Sequence, residues 1–360
     1  MLKLLAERAS DPVGTGGLSG LQERQINDIL ARPYGMLVIS GPTGCRTTQA
    51  HRALGMVERH FERRLGRRPA VVAFGNPAEM PENSLVVSSG TATDQASHDA
   101  TAQARNALRR PNIVAFGDIG GDPAMADLAF WAAATCHQVI VTIGVNGAFD
   151  TLGRFLDHRI PPEMVFDTRM VSGIVCQRLV SVTCPHCALP RHEAKQRGLL
   201  EPDLIRDVER IDDRRAKDVR VWRPEGCDAC KGRGYQGRDI VAEIVPVDLT
   251  LMSELRSGRQ AGARDRWLSE LNGFTMLEHA VAKMFTGRFD PSTIEDRVGD
   301  LSGFNPSRVG TVGTAKGRRP PRLELLGKPR RTDYPWSSGS GPHCCSEAAR
   351  ILLAGGRDQL

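Results

Sequence analysis

The chain of 360 residues contains no run of eighteen apolar residues, which excludes a membrane-spanning helix. Its opening, MLKLLAERASDPVG, meets Asp11 and Pro12 before an apolar core of signal-peptide length has formed. The expectation is therefore a cytoplasmic protein. Excess charge is also missing from most of the chain. From Arg308 onward there are ten basic and four acidic residues, which accounts for the whole formal charge of +6, and the residues before it carry 38 of each sign. A general nucleic-acid surface needs a basic face on the folded part, so no nucleic-acid partner is expected. Lysine is the scarcest cation: only seven of the 48 basic residues are lysine, and none lies between Lys3 and Lys195.

What is present is enough for a packed core. Hydrophobic residues make up 40% and charged residues 25%, which rules out wholesale disorder. Residues 21–33 carry apolar positions at helical spacing and stop at Pro33. Short apolar runs at 36–40, 71–75, 85–89, 112–120 and 139–145 read as strands, and 47–65, 96–110 and 123–135 as helices between them. Strands alternating with helices predict an α/β fold on a parallel sheet, with the ligand crevice at the C-terminal strand edge. Residues 164–182 read as helical again, and 247–303 as a helical finish. Beyond about 305 the chain is rich in Gly, Pro, Ser and Arg without periodicity, which reads as a disordered basic tail.

Two features carry chemistry. The first is a pair of C-x2-C knuckles, Cys184-Pro-His-Cys187 and Cys227-Asp-Ala-Cys230, separated by 39 highly charged residues. Four thiolates in this pattern supply a tetrahedral structural Zn2+ site, and the intervening stretch becomes an excursion clipped at its base. A redox C-x2-C pair or unpaired thiols are the alternatives. His186, between two cysteines, reads as a bystander. Cys45, Cys136 and Cys176 sit in apolar surroundings and read as small core residues.

The second is Gly41-Pro42-Thr43-Gly44-Cys45-Arg46-Thr47-Thr48 between a strand and a helix, where a phosphate-cradling loop belongs. The G-x4-G-K-(Ser/Thr) pattern is broken. With one residue deleted, Arg46 takes the lysine's place and Thr47 keeps the magnesium-ligand role. A planar guanidinium is a poor copy of a compact ammonium. A helix-capping turn with no ligand is the other reading.

The segments ILARPYGMLVISGPTG, GDIGGDPAMADLAFWAAATCH, IVCQRLVSVTCPHC, GCDACKGRGYQGRDIVAEI and TMLEHAVAKMFTGRFD resemble, in order, those of the type II secretion and type IV pilus assembly ATPases. The resemblance covers roughly residues 19–303. It implies a RecA-like P-loop NTPase core over 19–183 and a tetracysteine zinc subdomain over 184–246. A helical C-terminal part over 247–304 follows, between a flexible start at 1–18 and the tail at 305–360. It also implies ATP and Mg2+ as ligands and a homo- or hetero-hexamer with related ATPase subunits. An inner-membrane platform protein would be the partner, at the inner face of the membrane.

Carried over position by position, the family's nucleotide loop falls on Gly41, Pro42, Thr43, Gly44, Arg46, Thr47 and Thr48, without its lysine. Of its acidic strand end E-D-P-x-E only Glu79 remains. Its G-E-I-R-D motif corresponds to Gly117-Asp118-Ile119-Gly120-Gly121, so the catalytic Glu becomes the shorter Asp118. Its T-L-H-T-N box reads Thr142-Ile143-Gly144-Val145-Asn146 and has no histidine, whereas His137 matches the histidine of its T-G-H. The family's preceding arginine-donating domain is expected to be absent. The expectation is a ring subunit or scaffold with weak or altered ATP binding and impaired hydrolysis. Open beside it are an active ATPase that uses Arg46 in place of the lysine, and a gene product without function.

Overall fold

The computed structural model describes residues 17–32, 34–42, 54–55, 57–59, 61–63, 66–67, 69–74, 85–87 and 113–305. The chain divides into two compact units, each built from non-contiguous segments. One contains residues 24–176 and 244–273, the other residues 17–23, 177–243 and 274–305.

The first unit is organised by a sheet. Its strands are β1 (Gly35–Ser40), β2 (Val71–Phe74), β3 (Leu85–Val87), β4 (Ile113–Asp118), β5 (Gln138–Ile143) and residues 171–176 of β6 (Val171–Thr183). With β9 (Tyr235–Pro246) the spatial order is β3-β2-β4-β5-β1-β6-β9. Pairing from β3 through β6 is parallel throughout, with Gly35 opposite Gln138 and Ser40 opposite Ile143. Every residue of β1 and β5 is buried, as a parallel strand covered on both faces requires, and this is why both read as unbroken apolar runs.

Helix α1 (Gly20–Leu30) buries Ile26, Ile29 and Leu30. In the predicted helix at 47–65, the described residues are helical, and Leu54, Val57 and Phe61 are buried at helical spacing. Helix α2 (Pro123–Ala134) starts at Asp122, whose side chain accepts from the Ala124 and Met125 amides, with Pro123 in the first turn. Its Phe130 meets Phe155 of α3 (Thr151–Asp157) edge to face at a centroid distance of 5.1 Å, inside the range of about 4.5–7 Å for such pairs. Trp131 of the same helix is half-buried and Phe130 fully buried.

One expectation fails. Residues 164–182 do not form a helix: α4 (Pro162–Val165) is a single turn, and the chain then enters β6. Residues 171–177 are buried without a break. The β-branched Val171, Ile174 and Val175 pack well on a pleated surface covered on both sides. A short apolar run of this kind has no period that separates strand from helix. The predicted helix at 96–110 and the disorder expected beyond 305 lie outside the described residues, as does Cys45. Cys176 is buried and Cys136 half-buried. Among the described residues no helix is long and apolar enough to cross a membrane.

The same unit holds α7 (Leu249–Arg256) and α8 (Gln260–Ser269). Trp267 of α8 is wholly buried, donates its indole N–H to the Ile244 carbonyl at 2.9 Å and meets Phe149 at 5.5 Å.

In the second unit the 39-residue excursion between the knuckles is structured. Strand β7 (Leu189–Pro190) pairs antiparallel with β8 (Arg220–Val221) at its base. Between them α5 (Arg191–Gln196) and α6 (Pro202–Asp212) bury Ala194, Leu204, Ile205, Val208 and Ile211. Helix α9 (Met276–Met284) opens with a reciprocal cap between Thr275 and Glu278, and α10 (Pro291–Arg297) is capped by Asp290. Asp239 accepts from Lys283 at 3.0 Å and from Arg288. Burial raises its carboxyl, but the two cations outweigh burial and hold it below the ordinary range.

His279 of α9 is 3% exposed, and its Nδ1 accepts from the Ala242 amide and the Gln22 side-chain amide, each at 3.2 Å. Burial, helped by nearby Lys283, pushes its pKa down to about 3. The unfolded chain, with an ordinary imidazole near 6.5, therefore binds a proton that the folded chain refuses. This stability is fully present above pH of about 6.5 and is lost as pH falls toward about 3. Between neutral pH and about pH 5 the loss is roughly 2 kcal/mol. Urea midpoints measured across that range check it: His279→Gln should flatten the slope, and an unchanged slope would remove the assignment.

Candidate functional site: a tetracysteine centre and a strand edge

The two knuckles converge in the second unit. The Sγ atoms of Cys184, Cys187, Cys227 and Cys230 all lie within 4.8 Å of one another. The Cys184–Cys227 and Cys187–Cys230 sulfurs are 3.9 Å apart and the Cys227–Cys230 sulfurs 3.8 Å. These separations exceed a disulfide bond of about 2.05 Å. They equal the edge of about 3.8 Å of a tetrahedron with metal–sulfur bonds of about 2.3 Å. The set can hold a tetrahedral metal ion. His186 is exposed and outside the cluster.

The backbone supports the sulfurs unequally. Cys230 Sγ accepts from its partner's amide, Cys227 N–H, at 3.1 Å and from Gly234 N–H at 3.2 Å. Burial raises the Cys230 thiol, but these N–H groups outweigh it and bring it down to about 6. Burial and hydrogen bonds to the other three cysteines raise Cys187 instead. The Cys184 amide donates to the Gly234 carbonyl at 2.9 Å, which ties one knuckle to the other.

Two glycines shape the turn. Gly226 (φ +60°) would place a Cβ 2.4 Å from the Gly232 backbone carbon, and Gly234 (φ +69°) would place one 2.4 Å from the Arg223 carbonyl oxygen. Neither contact admits a side chain, and both conformations favour glycine. Gly234 opens the Gly-Tyr-Gln-Gly-Arg run that carries part of the family resemblance, whereas Gly226, just before Cys227, lies outside that run.

In the first unit, the C-terminal strand edge holds what is described of the expected nucleotide site. β1 ends at Ser40 and runs into Gly41 and Pro42. Thr43, Gly44, Arg46, Thr47, Thr48 and Glu79 lie outside the described residues. Asp118 ends β4, where the register with β5 skips Gly117, so that Phe116 opposes Val141 and Asp118 opposes Thr142. Such a bulge re-aims the side chain beyond it. Asp118 is exposed, and its Oδ1 accepts the Gly120 amide at 3.1 Å. A Cβ on Gly120 would lie 3.1 Å from that oxygen and 3.4 Å from the Gly144 nitrogen, which places the two glycines side by side next to the carboxylate. Arg154 donates to the Gly120 carbonyl at 3.0 Å. Beneath the edge, Thr151 Oγ1 lies 3.1 Å from Ser40 Oγ, a buried pair that the sequence does not signal.

His137 is not brought to this edge. It precedes β5, at the opposite end of the strand from Thr142, roughly 16 Å away across five residue steps. Its Nδ1 lies 3.1 Å from the Ala132 carbonyl and 3.0 Å from Thr135 Oγ1, contacts that close the C-terminal turn of α2.

Comparison with known proteins adds the following. A family model described as "Type II/IV secretion system protein" matches residues 4–290. The type II secretion system protein E of Aeromonas hydrophila is 26% identical over 258 residues, covering 71% of this chain and 47% of the relative. The type IV pilus assembly ATPase PilB of Myxococcus xanthus is 27% identical over 277 residues, covering 76% of this chain and 45% of the relative. The chain thus spans about half the length of the curated relatives it matches. A crystal structure of the pilus retraction motor PilT with bound ADP aligns over 80% of this chain and 68% of its own. The TM-score is 0.49 at 16% identity.

Proposed function

The chain belongs to the type II/IV secretion system protein family, and from that premise we propose that it is a scaffold-like homologue of the ATPases of type II secretion and type IV pilus assembly. In this reading the metal centre is kept as structural zinc, ATP and Mg2+ bind weakly, and hydrolysis is impaired. The chain acts in the cytoplasm as a subunit of a hexameric ring of related ATPases, beside a platform protein of the inner membrane.

The observation that carries the reading is the strand edge. Where the family motifs call for Glu, Arg and His, this chain has Asp118, Gly120 and Gly144, and the two glycines adjoin one another beside the carboxylate. Phosphoryl transfer rests on cations and carboxylates placed against one transition state, and a single arginine finger contributes about 10³–10⁵ in rate. A carboxylate one methylene shorter withdraws from the position of an attacking water. With no lysine between Lys3 and Lys195, the loop at 41–48 has only Arg46 as a cation. Such losses are not additive, but all act on the same step. The support for zinc is the match between the sulfur separations and a thiolate tetrahedron.

Steady-state ATP hydrolysis and ADP affinity of the full chain with Mg2+ test the proposal. Turnover is expected at background, on the order of 10³-fold or more below an intact motor, and unchanged in Asp118→Asn. Turnover equal to an intact motor and abolished by that substitution overturns it. One feature favours a second reading: in the shortened register Arg46 keeps a cation and Thr47 a hydroxyl where the loop needs them. Hexamers that form with ATP and disappear in Arg46→Ala would establish an active enzyme instead.

A further inference from the structure

The four sulfurs are not equivalent. Cys184, Cys187 and Cys230 are buried, whereas Cys227 is half-buried and is the open face of the cluster. Cys227 also begins the 3₁₀ turn Asp228–Cys230, so its sulfur and that of Cys230 sit on one turn, 3.8 Å apart, the shortest of the three described separations. Cys230 is fixed from two sides by the amides of Cys227 and Gly234. The turn is completed by Lys231 at φ 55° and Gly232 at φ 73°, with the Gly232 amide bonded to the Cys227 carbonyl at 3.0 Å. The cap of this turn is reciprocal, the Cys230 amide facing the Cys227 sulfur, so what sets Cys227 apart from the other three sulfurs is its exposure.

From this asymmetry we infer that Cys227 is a modification site: the sulfur at which a hydroperoxide opens the metal centre, with Cys230 as its resolving partner. The inference rests on the zinc reading above. The Cys227 thiolate takes the terminal oxygen of the hydroperoxide, the O–O bond breaks, and the remaining oxygen leaves as water or an alcohol after protonation. The sulfenic acid so formed is attacked at sulfur by the Cys230 thiolate; an S–S bond forms and hydroxide leaves. Two electrons pass from the two sulfurs to the peroxide. Only Cys184 and Cys187 then remain as thiolates, and two ligands do not hold a structural ion. Closing a disulfide needs the two sulfurs to approach by nearly 2 Å, a movement that a rotation of the half-buried Cys227 side chain supplies with the turn left in place.

The experiment uses the full chain, reduced and supplied with Zn2+, with bound zinc measured first; that value alone decides the zinc reading. Hydrogen peroxide is then added in steps. Zinc release is followed with a coloured chelator, and disulfides are located by peptide mapping, so that cysteines elsewhere do not confuse the result. The expected result is about one ion released for each Cys227–Cys230 disulfide formed. In the untreated chain, a brief pulse of iodoacetamide should label Cys227 before the other three. In Cys227→Ser, zinc release by peroxide should slow at least tenfold; if that variant fails to fold, the labelling order in the unmodified chain still decides. A Cys184–Cys227 or Cys187–Cys230 crosslink as the first product overturns the inference. So does first labelling at Cys184, Cys187 or Cys230, or zinc retention at peroxide concentrations that oxidise free cysteine.

Discussion

Replacing Cys230 by serine is expected to empty the tetracysteine centre of metal and to lower the melting temperature by roughly 15 °C. Cys230 is wholly buried and carries the two amide hydrogen bonds that stabilise a thiolate. A serine hydroxyl is neither an equivalent ligand nor an anion to receive them. Structural zinc contributes about 10–16 kcal/mol to the folding of small domains built around it. Loss of even a third of that, roughly 4 kcal/mol, is a shift of this size for a unit of this length. The remaining sulfurs gain nothing in exchange, because burial raises the neighbouring Cys187 thiol and leaves it unsuited to carry charge without a cation. Metal content by atomic emission and a thermal scan by circular dichroism give the two readouts. A chain that purifies metal-free and melts at the same temperature as Cys230→Ser would end the zinc reading.

Trp267→Ala should cost about 4 kcal/mol, the largest effect expected of any single side chain in the sheet-bearing unit. The ring is fully buried, packs on Phe149, and its N–H satisfies the Ile244 carbonyl. The backbone is moulded to it as well: a Cβ on Gly273 would stand 2.5 Å from the indole. Truncation therefore leaves a cavity and removes a hydrogen bond to a backbone carbonyl together. Trp267→Phe separates these contributions, since it keeps most of the ring contact and loses only the hydrogen bond, an effect of about 1–3 kcal/mol. Denaturant midpoints of the two variants measure both. An Ala variant within about 1 kcal/mol of the parent would mean that this site collapses around the lost ring, contrary to the tight packing described.

How far the sequence reveals the molecule depends on the range of the interaction. Local signals were readable. The runs at 36–40 and 139–145 are strands because both faces are covered, and the Ala-rich stretch at 123–135 is a helix; its Asp122 cap and the Thr275–Glu278 cap of α9 came only with the structure. The C-x2-C spacing announced the sulfur cluster. What escaped depends on partners distant in the chain. Val171–Thr183 shows no decisive period until β1 lies beside it. The bulge that turns Asp118 depends on its register with Thr142. Gly226 and Gly234 look like ordinary loop glycines until the backbone of Gly232 and Arg223 is brought against them. Asp239 and the two bases Lys283 and Arg288, which lie more than forty residues beyond it in sequence, meet only in the folded chain.

The paired base of the 188–226 excursion has a consequence for how such a chain can change. Its ends are pinned twice, by the cross-knuckle sulfurs 3.9 Å apart and by the β7–β8 pair. Once the ends are fixed, the entropy of the segment grows only with the logarithm of its length, about 0.6 kcal/mol for each doubling. Natural variation can therefore lengthen or shorten the exposed turns of this cassette at little thermodynamic penalty, so long as the four sulfurs, the glycines of the turn and the buried Ala194, Leu204, Ile205, Val208 and Ile211 keep their stations.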